Sequence, residues 1–266
     1  MKIPFYKYQG TGNDFVLINN WEQSHLSKKD TAQIRLICDR RFGIGADGLI
    51  LLQAHPVYDF EMIYFNADGN ESSMCGNGGR CIVAFAHHLG LIGEACRFLA
   101  IDGVHEALVK PASQIELKMS DVASIEVGED YYLMDTGSPH FVTFVEDIDD
   151  INVVEVGSAI RYSKRFREAG VNVNFVEKKA NGVEVATYER GGKDETLSCG
   201  TSVTAAAITD YLEKPNPTRQ RVAIKAKGGV LEVRLVPNED QTIDNIWLCG
   251  KASLVFTGDF LVPKTN

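Results

Sequence analysis

Apolar and polar positions at the start of the chain alternate with a period of two, the spacing of a half-buried strand. Ile3, Phe5 and Tyr6 lead into a polar turn at Gly10-Thr11-Gly12-Asn13, and Phe15-Val16-Leu17-Ile18 follow, which predicts two strands joined by a hairpin turn within Met1–Asn20. The period then widens. Ser27-Lys28-Lys29-Asp30 has the form of a capping box at a helix start, and Ile34, Ile37 and Cys38 share one helical face. The glycine turn Gly43-Ile44-Gly45-Ala46-Asp47-Gly48 opens the apolar run Leu49-Ile50-Leu51-Leu52. A strand rather than a helix follows that turn, so it is not a dinucleotide-binding fingerprint. Phe60–Phe65 alternates as a strand and delivers Asn66. After Cys75 the chain is apolar around nearly the whole helical circumference to about Leu89, with Gly90 as the stop, which predicts a helix buried inside its domain. Further strands are expected around 97–101, 106–109 and 115–119.

The same pattern then recurs. Tyr131–Met134 leads into Thr136-Gly137-Ser138-Pro139-His140-Phe141-Val142; Ala169–Val176 is a turn into a strand; Val183–Tyr188 is a strand ending at Glu189; and a second apolar helix is expected from about Gly200 to Leu212. The pairs Phe15/Phe141, Gly45/Gly170 and Cys75/Cys199 keep one order at a near-constant offset of about 125 residues, the mark of a duplicated unit. Each half is then a mixed sheet around one buried helix. A tail from about Lys251 to Asn266 remains, in which Leu254-Val255-Phe256 and Phe260-Leu261-Val262 read as strand.

Composition narrows the function classes. The net charge is −9 and no basic run occurs, which argues against a nucleic-acid partner. No stretch approaches the ~18 apolar residues of a membrane span, and the N-terminus lacks the apolar run of a signal peptide, so a cytoplasmic location with reduced thiols is expected. Hydrophobic residues make up 44%, enough for a full core. The six cysteines form no Cys-x-x-Cys, and the spacing of Cys75 and Cys81 directs them to different helix faces, so no metal site is expected.

Cys75 and Cys199 stand apart from the other four cysteines. Each follows a polar glycine-bearing loop, each is followed by Gly, and each sits where a buried helix begins. Free backbone N–H groups and the helix dipole there favour negative charge, the setting that turns a thiol into a thiolate. Two such groups suit an acid and a base on opposite faces of one carbon, with the N–H groups of Gly76-Asn77 and Gly200-Thr201 clasping a neighbouring carboxylate. They also suit a thiol switch whose cysteines form a reversible disulfide.

The chain resembles diaminopimelate epimerase over essentially its whole length. The marks are Gly12-Asn13-Asp14-Phe15, Gly43–Gly48, Phe65-Asn66-Ala67-Asp68-Gly69, Cys75-Gly76-Asn77-Gly78, Pro139-His140, Val171-Asn172, and Tyr188-Glu189-Arg190-Gly191 before Cys199-Gly200. The resemblance implies an α+β fold of two pseudo-symmetric domains, 1–120 completed by about 251–266 and 121–250, each a mixed barrel-like sheet around a central buried helix. It implies a cofactor-independent epimerase that interconverts LL- and meso-2,6-diaminopimelate on the route to lysine and peptidoglycan, and a homodimer. By the same resemblance Cys75 and Cys199 are catalytic, with His140 and Glu189 supporting them. Gly76, Asn77, Gly200 and Thr201 hold the reacting carboxylate; Asn13, Asn66, Asn172, Glu189 and Arg190 bind the rest of the substrate. The chain departs from the family at Ser138 (usually Asn), Gly48 (Gln in some members), Ser202 (often Gly), Phe256 (Tyr in some) and in a 191–195 loop one residue longer than in some members. The first two bear on distal substrate recognition and Phe256 on dimer geometry. Another amino-acid racemase is a competing reading, against which Asn66, Asn172 and Arg190 speak, since a smaller substrate has no distal carboxylate to engage them.

Overall fold

The computed structural model describes residues 2–192, 194–216, 220–237 and 243–262. Elements follow in the order β1 (Lys2–Gly10), β2 (Asn13–Asn19), α1 (Thr31–Cys38), β3 (Gly48–Gln53), β4 (Phe60–Asn66), α2 (Gly76–His88), β5 (Ala95–Ala100), β6 (Gly103–Lys110), β7 (Gln114–Lys118), β8 (Ile125–Val127), β9 (Tyr132–Asp135), β10 (Pro139–Val145), α3 (Val153–Arg161), β11 (Asn172–Lys179), β12 (Gly182–Tyr188), α4 (Gly200–Glu213), β13 (Arg221–Ala226), β14 (Gly229–Pro237), β15 (Ile243–Lys251) and β16 (Ser253–Leu261). They fall into two units, Met1–Leu117 with Gly250–Asn266, and Lys118–Cys249.

In the first unit the strand order is β16-β1-β2-β3-β4-β5-β6-β7. Antiparallel hairpins are joined by parallel steps at β2/β3 and β4/β5, crossed by α1 and α2 respectively. Side chains alternate between two buried faces. Tyr8, Phe15, Leu17, Ile50 and Leu52 pack with α2; Ile3, Phe5, Val16, Ile18, Leu49 and Leu51 pack with α1. Burial on both faces is why Leu49–Leu52 reads as an unbroken apolar run instead of alternating. Each such side chain contributes roughly 1.5–3 kcal/mol on leaving water.

The second unit repeats this plan. Its order is β8-β9-β10-β11-β12-β13-β14-β15, with parallel steps at β10/β11 and β12/β13, crossed by α3 and α4. Val142, Val176, Val185 and Val222 pack with α4, while Val173, Phe175, Ala186 and Tyr188 pack with Val153 of α3. The landmark glycines also correspond: Gly45 (φ +83°) and Gly170 (φ +77°) each turn the chain into a parallel strand through the left-handed region.

Three local expectations change. The Ser27–Asp30 pair does not cap α1: Asp30 Oδ2 accepts from the Ser27 N–H (2.7 Å) and hydroxyl (2.8 Å), closing a turn one residue before the helix, and the Asp30 side chain caps nothing. The helix α3 is absent from the sequence reading because Val153, Val154 and Val156 give it strand-like composition. Its signal is polar: Asn152 Oδ1 accepts from the Glu155 N–H (3.1 Å) while Asn152 Nδ2 donates to the Glu155 carboxylate (3.0 Å). Strands β8, β13 and β14 also went unread. The tail is strand as expected through Leu261; residues 263–266 and Lys193, within the extended loop, lie outside the described residues.

Candidate active site

In the first unit, β4 ends at Asn66, and a turn closed by the Gly69 N–H on the Asn66 carbonyl (2.9 Å) sends the chain toward α2. Cys75 is the extended residue before the helix (φ −103°, ψ 128°), and its carbonyl accepts from the Gly79 N–H at 2.7 Å. Its side chain does not cap the helix, so the first-turn N–H groups are not taken up by it. Asn77 is fully buried; its Nδ2 donates to Asn13 Oδ1 (2.6 Å) and its Oδ1 accepts from Arg80 (2.8 Å). Asn13 in turn donates to Asp47 (3.0 Å). Behind it Asp14 lies between Lys7 (2.9 Å) and the fork of Arg40 (2.9 and 2.7 Å); burial pushes its carboxyl up, but these two cations outweigh that and hold it well below the usual range. Asn13, Gly76, Asn77 and Cys75 are thus gathered at one helix start, while the exposed Asn66 stands in register with Gly48 on the neighbouring strand. Gly48 is fixed by packing: a Cβ there would lie 2.5 Å from the Phe65 carbonyl oxygen and 2.5 Å from the Tyr64 ring, so the position has no room for glutamine.

The second unit builds the matching start. Cys199 is extended (φ −119°, ψ 120°), its carbonyl accepts from Val203 N–H (2.9 Å), and its Sγ lies 3.2 Å from the Thr201 hydroxyl. The Thr136 hydroxyl donates to the Thr201 carbonyl (2.9 Å), tying the turn before β10 to the helix. His140 and Asn172 are register partners on β10 and β11. Asn172 accepts from the Arg190 N–H (2.8 Å) and donates to Ser138 Oγ (3.0 Å), so the shorter Ser138 is engaged by the neighbouring strand. Arg161, at the end of α3, donates to the Arg190 carbonyl (2.8 Å). The Arg190 segment is therefore clamped through its backbone while its side chain is exposed; Glu189 beside it is half-buried.

His140 is fully buried. Its Nδ1 receives the Asn174 amide (3.2 Å) and lies 3.4 Å from Ser202 Oγ, whereas Nε2 has no partner among the described residues. Burial, then the nearby Arg190 charge, push its pKa down to about 3 against the opposing Asn174 contact. The ring is neutral at physiological pH, with Nδ1 an acceptor and the proton on Nε2. Asn174 and Arg80 are supporting residues that the sequence does not single out, while Ser202 and Asp47 stand out there only as a family departure and as part of a glycine turn. Asn174 had a readable signal, since it lies on the same strand face as Asn172.

The cysteines divide as their places predict. Cys75 and Cys199 are partly exposed; Cys38, Cys81, Cys96 and Cys249 are buried, and burial pushes the thiols of Cys38, Cys81 and Cys96 up to about 12. Only the helix-start thiols are accessible to a substrate or reagent.

Among the described residues no helix is long and apolar enough to cross a membrane. The diaminopimelate epimerase family model matches residues 5–124 and 132–255, one segment in each half. The diaminopimelate epimerase of Flavobacterium psychrophilum is 47% identical over 96% of this chain and 98% of that protein, and that of Aquifex aeolicus 38% over 96% and 97%. Solved structures of similar fold include a phenazine biosynthesis protein of Bacillus anthracis (TM-score 0.75, 13% identity, 98% of this chain and all of that one) and a hydroxyproline epimerase of Agrobacterium vitis (TM-score 0.67, 13% identity, 97% and 92%). The two matched segments and the near-full-length relatives show that the chain belongs to the diaminopimelate epimerase family.

Proposed function

We propose that Cys75 and Cys199 carry the reaction as a thiolate and a thiol, one serving each face of the reacting carbon. Membership in the family makes the chain an isomerase that interconverts LL- and meso-2,6-diaminopimelate. The observation that supports the two-thiol chemistry is the repeat itself: two partly exposed cysteines, each immediately before a buried helix. The thiolate takes the Cα proton from one face. The electron pair left behind delocalises into the adjoining carboxylate, held by N–H groups at Gly76-Asn77 and Gly200-Thr201. The opposite thiol gives its proton to the other face. One proton leaves and one arrives, and thiol and thiolate have exchanged roles. A helix terminus contributes only about 0.3–2 kcal/mol, so positioning and water exclusion supply most of the barrier reduction.

In this reading His140 acts as a neutral hydrogen-bonding group beside the chemistry, and Glu189 as its charged companion. Asn13, Asn66, Asn172 and Arg190 bind the centre that does not react. Asn13 and Asn172 already spend one donor and one acceptor on the protein; each retains a second N–H and a second lone pair for ammonium and carboxylate. Arg190 supplies the carboxylate fork. The thiol pair requires a reducing compartment, the cytoplasm. The exposed Leu254, Val255, Phe256 and Leu261 of β16 are the surface for a homodimer.

The test separates exchange from inversion. Cys75→Ala and Cys199→Ala should each abolish LL–meso interconversion, while in deuterated water each surviving thiol labels the substrate with retention, the two variants labelling opposite configurations at the reacting carbon. Substantial interconversion by either variant would sink the mechanism.

A further inference from the structure

The largest fully buried side chain among the described residues belongs to a cation, Arg80. It lies one turn into α2. Its guanidinium donates to the Gly76 carbonyl (3.3 Å), the Thr11 hydroxyl (2.9 Å) and Asn77 Oδ1 (2.8 Å). The end of β1 comes close enough that a Cβ on Gly10 would lie 3.1 Å from the Asn77 carbonyl oxygen and 3.6 Å from the guanidinium. Arg80 therefore fixes three parts of the first helix start: the Gly76 peptide after Cys75, the Asn77 side chain, and the β1–β2 turn. The corresponding place in α4 holds Thr204, whose hydroxyl donates to the Gly200 carbonyl at 2.9 Å. The backbone contact is kept and the charge is missing.

We propose that Arg80 is a positioning residue for the first thiol, and that its charge makes Cys75, rather than Cys199, the more readily ionised cysteine of the ligand-free enzyme. A buried cation near an ionisable group favours that group's anion, and a low-dielectric setting weakens screening. The other titratable groups on the elements packed against α2 do not reproduce this bias. β1 brings the phenols of Tyr6 and Tyr8, the latter pushed up to about 12 by burial, and the buried Lys7, whose charge is matched by Asp14 of β2. Cys81 on α2 and Cys96 on β5 are held neutral by burial. On β6, His105 is paired with Asp102, Glu106 with Arg97, and Lys110 is exposed at the strand end; on β16, the one charged residue, Asp259, is paired with Lys2. β2 connects through Asn13 to Asp47, which Arg40 balances. His87 and His88 lie in the last turn of α2, away from Cys75.

The inference rests on the two-thiol reading for its meaning, but its test needs no turnover. Intact, ligand-free enzyme is treated briefly with iodoacetamide from pH 5 to 9, and carboxamidomethylation at Cys75 and Cys199 is quantified separately by peptide mass spectrometry. Cys75 should react with the lower pH midpoint. Arg80→Gln should raise the Cys75 midpoint by about one unit and leave that of Cys199 in place, whereas Arg80→Lys, which keeps the charge without the fork, should hold the Cys75 midpoint near wild type. A general loss of structure would move both cysteines, so the comparison within one molecule isolates the effect. Equal midpoints in the wild type, or a reversed order, overturn the proposal even if no variant folds. So does a folded glutamine variant that moves both midpoints or neither, or a folded lysine variant that behaves like glutamine. Failure of the two-thiol mechanism would show instead in the isotope experiment with the alanine variants.

Discussion

The neutral, buried state of His140 has a consequence for acid stability. The folded protein holds this imidazole at a pKa of about 3, against 6.5 for an ordinary histidine. Above pH 6.5 neither folded nor unfolded chain protonates it, and it has no pH-linked effect. As the pH falls through the window from 6.5 to about 3, the unfolded chain binds a proton that the folded chain refuses, so stability rises with pH there and is lost on acidification. Each unit is worth about 1.36 kcal/mol, so the loss between pH 7 and pH 4.5 is roughly 2.7 kcal/mol. His140→Gln removes the proton site while leaving an oxygen to receive the Asn174 amide. The variant should be less stable at pH 7, through lost packing, yet its stability should fall less steeply with acid, by about 2–3 kcal/mol over that range. Groups common to both proteins, such as Asp14, cancel in the difference. Urea unfolding at several pH values would be followed through Trp247, which lies in the second unit, with Trp21→Phe in both backgrounds. Parallel stability curves, or a His140 ring that titrates near pH 6.5 by NMR, would refute the argument.

Other outcomes follow from single positions. Arg190→Lys keeps a charge but loses the fork, and should lower kcat/KM by roughly 5- to 30-fold with the fold intact; near-native activity would show that the remote carboxylate is read elsewhere. Gly45→Ala and Gly170→Ala both force a side chain into the left-handed region and should each cost about 1–2 kcal/mol in a thermal or urea melt. They should differ in activity, because a Cβ at Gly170 would sit 3.0 Å from Arg190 Cγ, whereas at Gly45 it meets the Arg40 backbone. Phe256→Glu places a charge on the exposed β16 surface, where sedimentation should show a monomer in place of a dimer; an unchanged dimer would move the interface elsewhere.

What was legible in the sequence depended on how local its cause is. The buried helices α2 and α4 are announced by a glycine-bearing loop, a cysteine and an apolar run, all contiguous, and their starts fall within a residue of the expected places. The strand β3 was readable from a glycine turn and an apolar run, but its parallel pairing with β2 was not. By contrast α3 has valines where a helix favours other residues, and its state is settled by the Asn152–Glu155 cap and by its docking on Val173, Phe175 and Tyr188. The capping box at Ser27 failed because only half of it forms: the Asp30 carboxylate reaches back to the Ser27 N–H, but the Ser27 hydroxyl donates to Asp30 and the Asp30 N–H goes to the Ser27 carbonyl, which closes a turn rather than begins a helix. At the site, helix-start residues were readable because backbone geometry makes them special. The residues that hold them were not. Asp47 reaches Asn13 from a different strand approach, and Asn174 meets His140 only once β10 and β11 pair in parallel.

On the proposed two-thiol mechanism, duplication alone would give two equal helix starts. Equal thiols share a proton equally, so a duplicated site has no inherent preference for which face carries the base. The two units have diverged where that preference can be set. Around the first start stand the charged residues Lys7, Asp14, Arg40, Asp47 and the buried Arg80; around the second, the neutral His140 is held by Asn174 and Ser202, Thr204 replaces the buried arginine, and the nearby charge of Arg190 sits on an exposed side chain. Ser202, a departure from the glycine frequent in the family, belongs to this neutral set, since its hydroxyl lies against the His140 ring. A helix start that must hold an anion gains from fixed positive charge. One that must hold a neutral thiol gains from neutral polar groups that orient without ionising it. An epimerase works in both directions, so the bias has to be small enough for substrate binding and turnover to reverse it. A buried arginine acting across one helical turn through neutral oxygens is a perturbation of that modest size.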